Sequence, residues 1–264
     1  MPAPINGFKQ AILAGRQQVG LWLSLANAYT AEIAALAGFD WLLIDGEHAP
    51  NDIRSILAQL QALSGTPSHA VVRLPAAETW IVKQVLDIGA QTILVPMVES
   101  AEQARSIVAA TRYAPAGVRG IGAALARASR FNGIADYIAT AGEQICVLVQ
   151  IESRAGVAAL DDILEVEGVD GIFIGPSDLA ADLGYPGRAG DPAVQRVVRD
   201  ALARIKTAGR PSGILSSDAA LLEGYISSGV AFVAVGSDVG LFTTGLAALR
   251  KRWPGQSSAV ACYV

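Results

Sequence analysis

The sequence predicts a single (β/α)₈ barrel, a TIM barrel spanning residues 1–264. Eight short apolar runs recur along the chain, which is the number that closes such a barrel. Segments with apolar residues at helical spacing alternate with these runs, and a strand–helix–strand crossover of that kind implies a parallel sheet. Polar clusters follow most of the runs. A doubly wound open sheet, the rival architecture, would gather them at one crevice.

The runs are Val19 to Leu25, Trp41 to Asp45, Ala70 to Leu74, Thr92 to Met97, Ile145 to Ile151, Gly171 to Ile174, Ser212 to Leu215 and Phe232 to Val235. Trp41-Leu42-Leu43-Ile44 has no polar alternation, so it reads as a strand buried on both faces. Helical spacing covers Ala31 to Ala37, Ile53 to Leu63, Trp80 to Ile88 and Ala193 to Ala208. Gly38, Gly65, Gly89, Gly209 and Gly229 stand at segment ends, where glycine accepts the left-handed conformation that closes a helix. Tyr113 to Glu143 is too long for an ordinary connection and is expected to form a lid or a subunit contact. Its Gly120-Ile121-Gly122 follows no strand and lacks the rest of a dinucleotide fingerprint. Asp238 to Trp253 reads as an amphipathic helix whose closing cations, Arg250, Lys251 and Arg252, oppose the helix dipole. The tail beyond Pro254 carries no signal.

Composition narrows the partners. The chain is 52% hydrophobic and 17% charged, which suits a tightly packed α/β protein with buried subunit surface rather than disorder. A net charge of −4 supplies no basic footprint for nucleic acid or an anionic membrane. No apolar run approaches the roughly 18 residues of a membrane span, and the start lacks a signal-peptide pattern. Cys146 and Cys262 suggest neither a disulfide framework nor a zinc site, so a reducing, cytoplasmic setting is expected.

The candidate chemistry lies at the C-terminal ends of the strands, the end at which barrels bind ligands. Asp45, Glu47 and His48 follow the second run, Arg73 lies in the third, Gln150 and Glu152 mark the fifth, and Gly175-Pro176-Ser177-Asp178 follows the sixth. Ser237 and Asp238 follow the eighth. Glu152 and Asp178 are hard oxygen donors suited to Mg²⁺ or Mn²⁺, and an open site of that kind takes a 2-oxo acid through its carboxylate and keto oxygens. Arg73 would stand beside the enolate oxygen. His48, oriented by Asp45, is the natural proton-transfer group. Lys9, Lys83, Lys206 and Lys251 fall on helices or termini, which disfavours a Schiff-base route. Each residue also has a structural reading: Asp45-Gly46 a turn, His48 a satisfied histidine, Asp178 and Glu152 helix caps, Arg73 an ion pair, Gln150 and Trp22 packing. What favours chemistry is that all of them fall on one face, whereas His69 precedes its strand at the other end and receives no role.

The motifs Gly20-Leu21-Trp22, Leu43 to Asn51, Val72-Arg73, Leu94 to Met97, Gly117 to Gly120, Val149 to Glu152 and Phe173 to Leu179 together resemble the metal-dependent (class II) pyruvate aldolases of the hydroxy-oxo-acid aldolase family. The likeness runs from Gly20 to about Trp253. It implies a pyruvate-kinase-like barrel, usually a homo-hexamer, with an exchanged C-terminal helix. The implied reaction is reversible cleavage of 4-hydroxy-2-oxo acids to pyruvate, or a hydroxypyruvate-like donor, and an aldehyde, with Mg²⁺, Mn²⁺ or Co²⁺ as cofactor. Carried over residue by residue, the likeness makes Glu152 and Asp178 the metal ligands, His48 and Asp45 the acid/base dyad and Arg73 the enolate stabiliser. It has Gly175, Pro176 and the amides around Ser177 and Asp178 hold the pyruvate carboxylate, and Trp22 and Leu215 line the acceptor pocket. Glu47 and Gln150 support the metal and its water, and Asp87 approaches from a neighbouring subunit. The rival readings at this point are a non-catalytic assembly or ligand-binding barrel and an enolate-forming 2-oxo acid decarboxylase or thioester lyase.

Overall fold

The computed structural model describes residues 1–253; Cys262 and the tail beyond Pro254 lie outside the described residues. After a short helix α1 (Gly7–Leu13), strands and helices alternate: β1 (Gln18–Leu23), α2 (Ala28–Ala35), β2 (Trp41–Asp45), α3 (Ile53–Ala62), β3 (His69–Arg73), α4 (Thr79–Asp87) and β4 (Thr92–Val95). The second half adds α5 (Ala101–Thr111), α6 (Tyr137–Gln144), β5 (Cys146–Ile151), α7 (Arg154–Ala158), α8 (Leu160–Leu164), β6 (Gly171–Ile174) and α9 (Pro176–Asp182). It closes with α10 (Pro192–Thr207), β7 (Ser212–Leu215), α11 (Ala219–Ser228), β8 (Phe232–Ser237) and α12 (Asp238–Arg252). All eight strands pair in parallel, β8 closes on β1, and the sheet is a closed barrel, as the count of apolar runs predicts.

Strands β1 and β4 each stop two residues before the apolar run does, for stated chemical reasons. Strand β1 stops at Leu23 because the amides of Ser24 and Leu25 donate to the Asp238 carboxylate, at 2.8 and 3.1 Å, instead of to a neighbouring strand. Strand β4 stops at Val95 because Pro96 has no N–H to give, and the next residue, Met97, turns out of the sheet at φ +54°. The five segment-ending glycines all take positive φ, between 69° and 106°. Tyr113 to Glu143 is not one element. It packs against the N-terminal ends of the strands, where Arg127 donates to the Ile88 carbonyl and Asn6 bridges Gln144 and Thr92. The segment is therefore not a lid over this chain's own mouth.

Alternation along the strands divides the core in two. Leu42, Ile44, Val72, Ile93, Val147, Val149, Ile172 and Val233 face outward beneath the helices. Trp41, Leu43, Val71, Leu94, Cys146, Leu148, Phe173 and Phe232 face inward, and Phe8 of α1 plugs the bottom against Trp41 and Phe232. Gly20 and Gly213 make room for this aromatic layer, since a Cβ at either would run into the rings of Trp41 or Phe232. The filled lower layers leave the open end as the place for a ligand.

Candidate active site at the barrel mouth

The inward-facing parity that packs the lower barrel also places the polar residues. Continuing 41–43 gives Asp45, 71 gives Arg73, and 146–148 gives Gln150 and, one step beyond the strand, Glu152. Asp45 and Arg73 are register partners on adjacent strands. Each replaces an apolar side chain in the uppermost layer.

Arg73 is the hub of that layer. Its Nε and Nη2 donate to the two oxygens of Asp45 at 2.9 and 2.7 Å, and its Nη1 lies 2.7 Å from Glu47 Oε2. The guanidinium rests 4.9 Å over the Trp22 ring, whose Nε1 donates to Asp45 Oδ2 at 3.1 Å. Burial pushes the Asp45 carboxyl up, but Arg73, the Glu47 amide and Trp22 outweigh it and hold the group below the usual carboxylate range. The Asp45 Oδ1 also accepts the backbone amides of Glu47 and His48, at 2.9 and 3.3 Å, which folds the 45–48 turn. Asn51, which the sequence reading passed over, holds the same turn by donating to the Asp45 carbonyl at 2.8 Å.

This corrects the proposed pairing of Asp45 with the His48 ring. Asp45 is saturated by Arg73, Trp22 and two amides, and its contact with His48 is through the backbone. The imidazole is 66% exposed at the rim, and its nearest carboxylate is Glu47, at 3.9 Å. Burial and the carboxylates of Asp45 and Asp178 keep Glu47 above its ordinary value despite Arg73 and His48.

Across the mouth, Glu152 is 3% exposed. Its Oε1 accepts the Met97 amide at 2.8 Å, its Oε2 accepts from Gln150 Nε2, and the Oε1 of Gln150 is buried with no hydrogen-bond partner. Burial, with Glu47 and Asp178 nearby, pushes Glu152 up to about 7 against those two hydrogen bonds. Gly175 fits tightly beside it, since a Cβ there would lie 2.5 Å from Glu152 Oε2. Asp178, exposed in the first turn of α9, makes no capping bond; the N-cap position belongs to Gly175. The cap of α7 is Ser153. Neither carboxylate is therefore a helix cap.

A divalent cation fits this donor set. Glu152 is desolvated among like charges, and the nearby guanidinium is engaged by Asp45 and Glu47, so a cation bound by Glu152 and Asp178 would relieve it with hard oxygen donors. The fit rests on these two residues; among the described residues no cluster of three or more His, Cys, Asp or Glu side chains is arranged to hold a metal.

One cavity of about 380 Å³ gathers Trp22, His48, Arg73, Gln150, Glu152, Gly175, Pro176, Ser177, Asp178 and Leu215. Asp45 and Glu47 stand behind Arg73. Asp87 is elsewhere, at the far end of α4 and the barrel's other end, where it pairs with the buried Arg119 at 2.7 Å. Sequence reasoning missed Ser216, Ser217, Asp218, Gln195 and Tyr225, which line the same cavity from β7, α10 and α11. None of the four lysines lines it. Lys9, for example, binds the Ile145 carbonyl and Asp170 at the bottom of the barrel, at 2.9 and 3.0 Å.

The chain is 57% identical over 258 residues to hydroxypyruvate/pyruvate aldolase of Agrobacterium fabrum, covering 98% of this chain and 97% of the relative. It is 54% identical over 248 residues to 4-hydroxy-2-oxo-heptane-1,7-dioate aldolase of Salmonella arizonae, covering 94% of each. The crystal structure of a family protein from Burkholderia cenocepacia superposes with a TM-score of 0.89 at 40% identity, over 94% of this chain and 99% of that one. The family model for HpcH/HpaI aldolase/citrate lyase matches residues 18–244, and the chain belongs to that family.

Proposed function

We propose that the mouth reversibly cleaves 4-hydroxy-2-oxo acids to pyruvate, or a hydroxypyruvate-like donor, and an aldehyde. The observation that carries this reading is the facing of a desolvated carboxylate, Glu152 with Asp178 beside it, against the clamped Arg73 guanidinium across one cavity. Glu152 and Asp178 would hold Mg²⁺, Mn²⁺ or Co²⁺, which when bound polarises a 2-oxo group and favours its enolate. The remaining work falls to the chain's own groups. The amides of Ser177 and Asp178, with Gly175 and Pro176 behind them, bind the substrate carboxylate. Arg73 presents fixed positive charge to the enolate oxygen, and Asp45 and Glu47 keep its fork from rotating away. Trp22 and Leu215 line the pocket that receives the aldehyde.

His48 takes the C4 hydroxyl proton in cleavage and returns it in condensation, since its imidazole stands at the rim of the cavity, on the aldehyde side, and its ring nitrogens can both accept and donate a proton. Asp45 is a positioning residue that acts through Arg73 and the turn. Asp87 of a neighbouring subunit supplies His48 with a carboxylate in addition to Glu47 of its own chain, which lies 3.9 Å away. That role requires a multi-subunit assembly, and we assign the hexamer with exchanged α12 helices. A cytoplasmic setting suits a chain whose described cysteine, Cys146, is a buried free thiol.

The test is pyruvate release from a 4-hydroxy-2-oxo acid. Stripping with EDTA is expected to abolish turnover, and Mg²⁺, Mn²⁺ or Co²⁺ to restore it. Full activity in metal-stripped protein would refute the assignment of Glu152 and Asp178.

A further inference from the structure

The half of the cavity away from Glu152 has a chemistry of its own. It is built from the end of β7 and the turn after it, Leu215 to Asp218, closed by Ala189, Gly190 and Leu221. Two buried side chains lock this wall in place. Gln195 Nε2 donates to the Ala189 carbonyl at 2.8 Å, and the Tyr225 hydroxyl donates to Gln195 Oε1 at 2.7 Å. Asp218 is fixed as well: its Oδ1 accepts the Leu221 amide at 3.0 Å, and its own amide donates to Ser216 Oγ at 3.1 Å. The Ser217 hydroxyl makes no hydrogen bond among the described residues.

Charge is the deciding feature. Among the described residues lining the cavity, the basic side chains are Arg73 and His48. Arg73 is engaged by Asp45 and Glu47, and no basic side chain belongs to the Ser216–Asp218 wall. Among the described residues of that wall, the acidic side chain is Asp218.

The geometry points to this wall as the acceptor-aldehyde subsite, selecting uncharged aldehydes that carry hydroxyl groups over aldehydes that end in a carboxylate. The inference rests on the aldolase reading above. A terminal carboxylate entering here would lose water with no basic side chain among the described residues of the wall to meet it and with Asp218 beside it. A hydroxyl finds the Ser216 and Ser217 hydroxyls as donors and the Asp218 carboxylate as acceptor. A plain aliphatic chain leaves those groups unpaired, and a site built to hydrogen-bond a hydroxyl rejects the analogue that lacks it.

The experiment supplies pyruvate with glyceraldehyde, propanal or 4-oxobutanoate to the Mn²⁺-loaded full-length protein and compares kcat/KM. Glyceraldehyde is expected to exceed both others by about tenfold or more, one to two hydrogen bonds in scale. The S216A/S217A double variant should lose about tenfold more on glyceraldehyde than on propanal, chiefly through KM. Asp218→Asn, which keeps a side-chain acceptor for the first turn of α11, should raise 4-oxobutanoate relative to glyceraldehyde by a similar factor. A wild-type preference for 4-oxobutanoate, or variants that lower all three aldehydes equally, would overturn the inference. Exchange of the pyruvate methyl protons in D₂O separates the two levels, because it needs only the donor half of the site. Exchange with a flat aldehyde profile removes the acceptor inference alone; absence of exchange removes the aldolase reading with it.

Discussion

Glu152 is the residue at which burial and function pull hardest against each other. Burial first, and its carboxylate neighbours after it, raise the group from 4.5 to about 7. A folded-state value above the unfolded one stabilises the protein most below the unfolded value, and that contribution is lost as pH rises through the folded value. Metal-free protein is therefore expected to lose on the order of 3 kcal/mol of stability between about pH 4.5 and pH 7.5, and Glu152→Gln to remove most of that slope. Urea denaturation in EDTA at several pH values measures both; parallel slopes in the two proteins would discount the raised carboxyl. His48 and Asp178 separate by a different readout. His48→Ala and Asp178→Ala should each lower kcat/KM by about 100-fold or more, but only the second should weaken Mn²⁺ binding in calorimetry. Equal metal affinity in the two variants would contradict the division of roles. The identities of these residues were legible in the sequence because each interrupts an apolar strand end. Their pairing was not. Asp45 stands three residues from His48 and 28 from Arg73, yet strand register delivers it to Arg73.

At the scale of elements, the period-two alternation of each strand does two jobs, sorting the apolar residues between two cores and aiming Asp45, Arg73, Gln150 and Glu152 into the mouth. Gly213 shows how tightly the first job is specified. A methyl group there would meet the Phe232 ring, which is itself wedged against Phe8, Trp41 and Phe173 and has nowhere to retreat. Gly213→Ala is expected to destabilise by about 2 kcal/mol or more through overpacking. Thermal and chemical denaturation of the variant against wild type would show it, and a neutral effect would mean that the aromatic layer is slack. Strand existence and order could be read from the sequence, since the buried runs are long and their helices close with glycine. Strand ends could not. Where β1 stops depends on Asp238, more than 200 residues away, and no local pattern carries that information. The Ser216–Asp218 wall escaped for a related reason: its small polar residues look like any turn until Gln195 and Tyr225 are seen to brace it.

For the molecule as a whole, α12 is the element that the single chain does not explain. It has 15 residues, and Asp238 is the only one of them buried. Leu241, Phe242, Leu246 and Leu249 are each more than half exposed, as is Trp253 just beyond its end. Isolated helices of this length are marginal in water, and apolar side chains on a stable helix require a partner surface. A second apolar patch lies at the opposite end of the barrel, where Val118, Ile121, Leu125 and Phe131 are exposed on the segment after α5. That segment also carries Arg119, which holds Asp87 in place. The sequence could locate the helix and the long segment, but a single chain's hydrophobic pattern does not state against whom a surface is buried. If α12 is exchanged between subunits, Phe242→Glu combined with Leu246→Glu should break the assembly while the barrel stays folded, because neither residue contributes to its core. Light scattering after size exclusion should then report a mass well below that of the wild type, with the far-ultraviolet circular dichroism of the barrel retained. Because Asp87 is expected to reach a neighbour's His48, activity should fall with the mass, while Mn²⁺ binding by Glu152 and Asp178, both contributed by one chain, should persist. A wild-type protein that runs as a monomer with full activity would remove the exchanged helix and the shared Asp87 together.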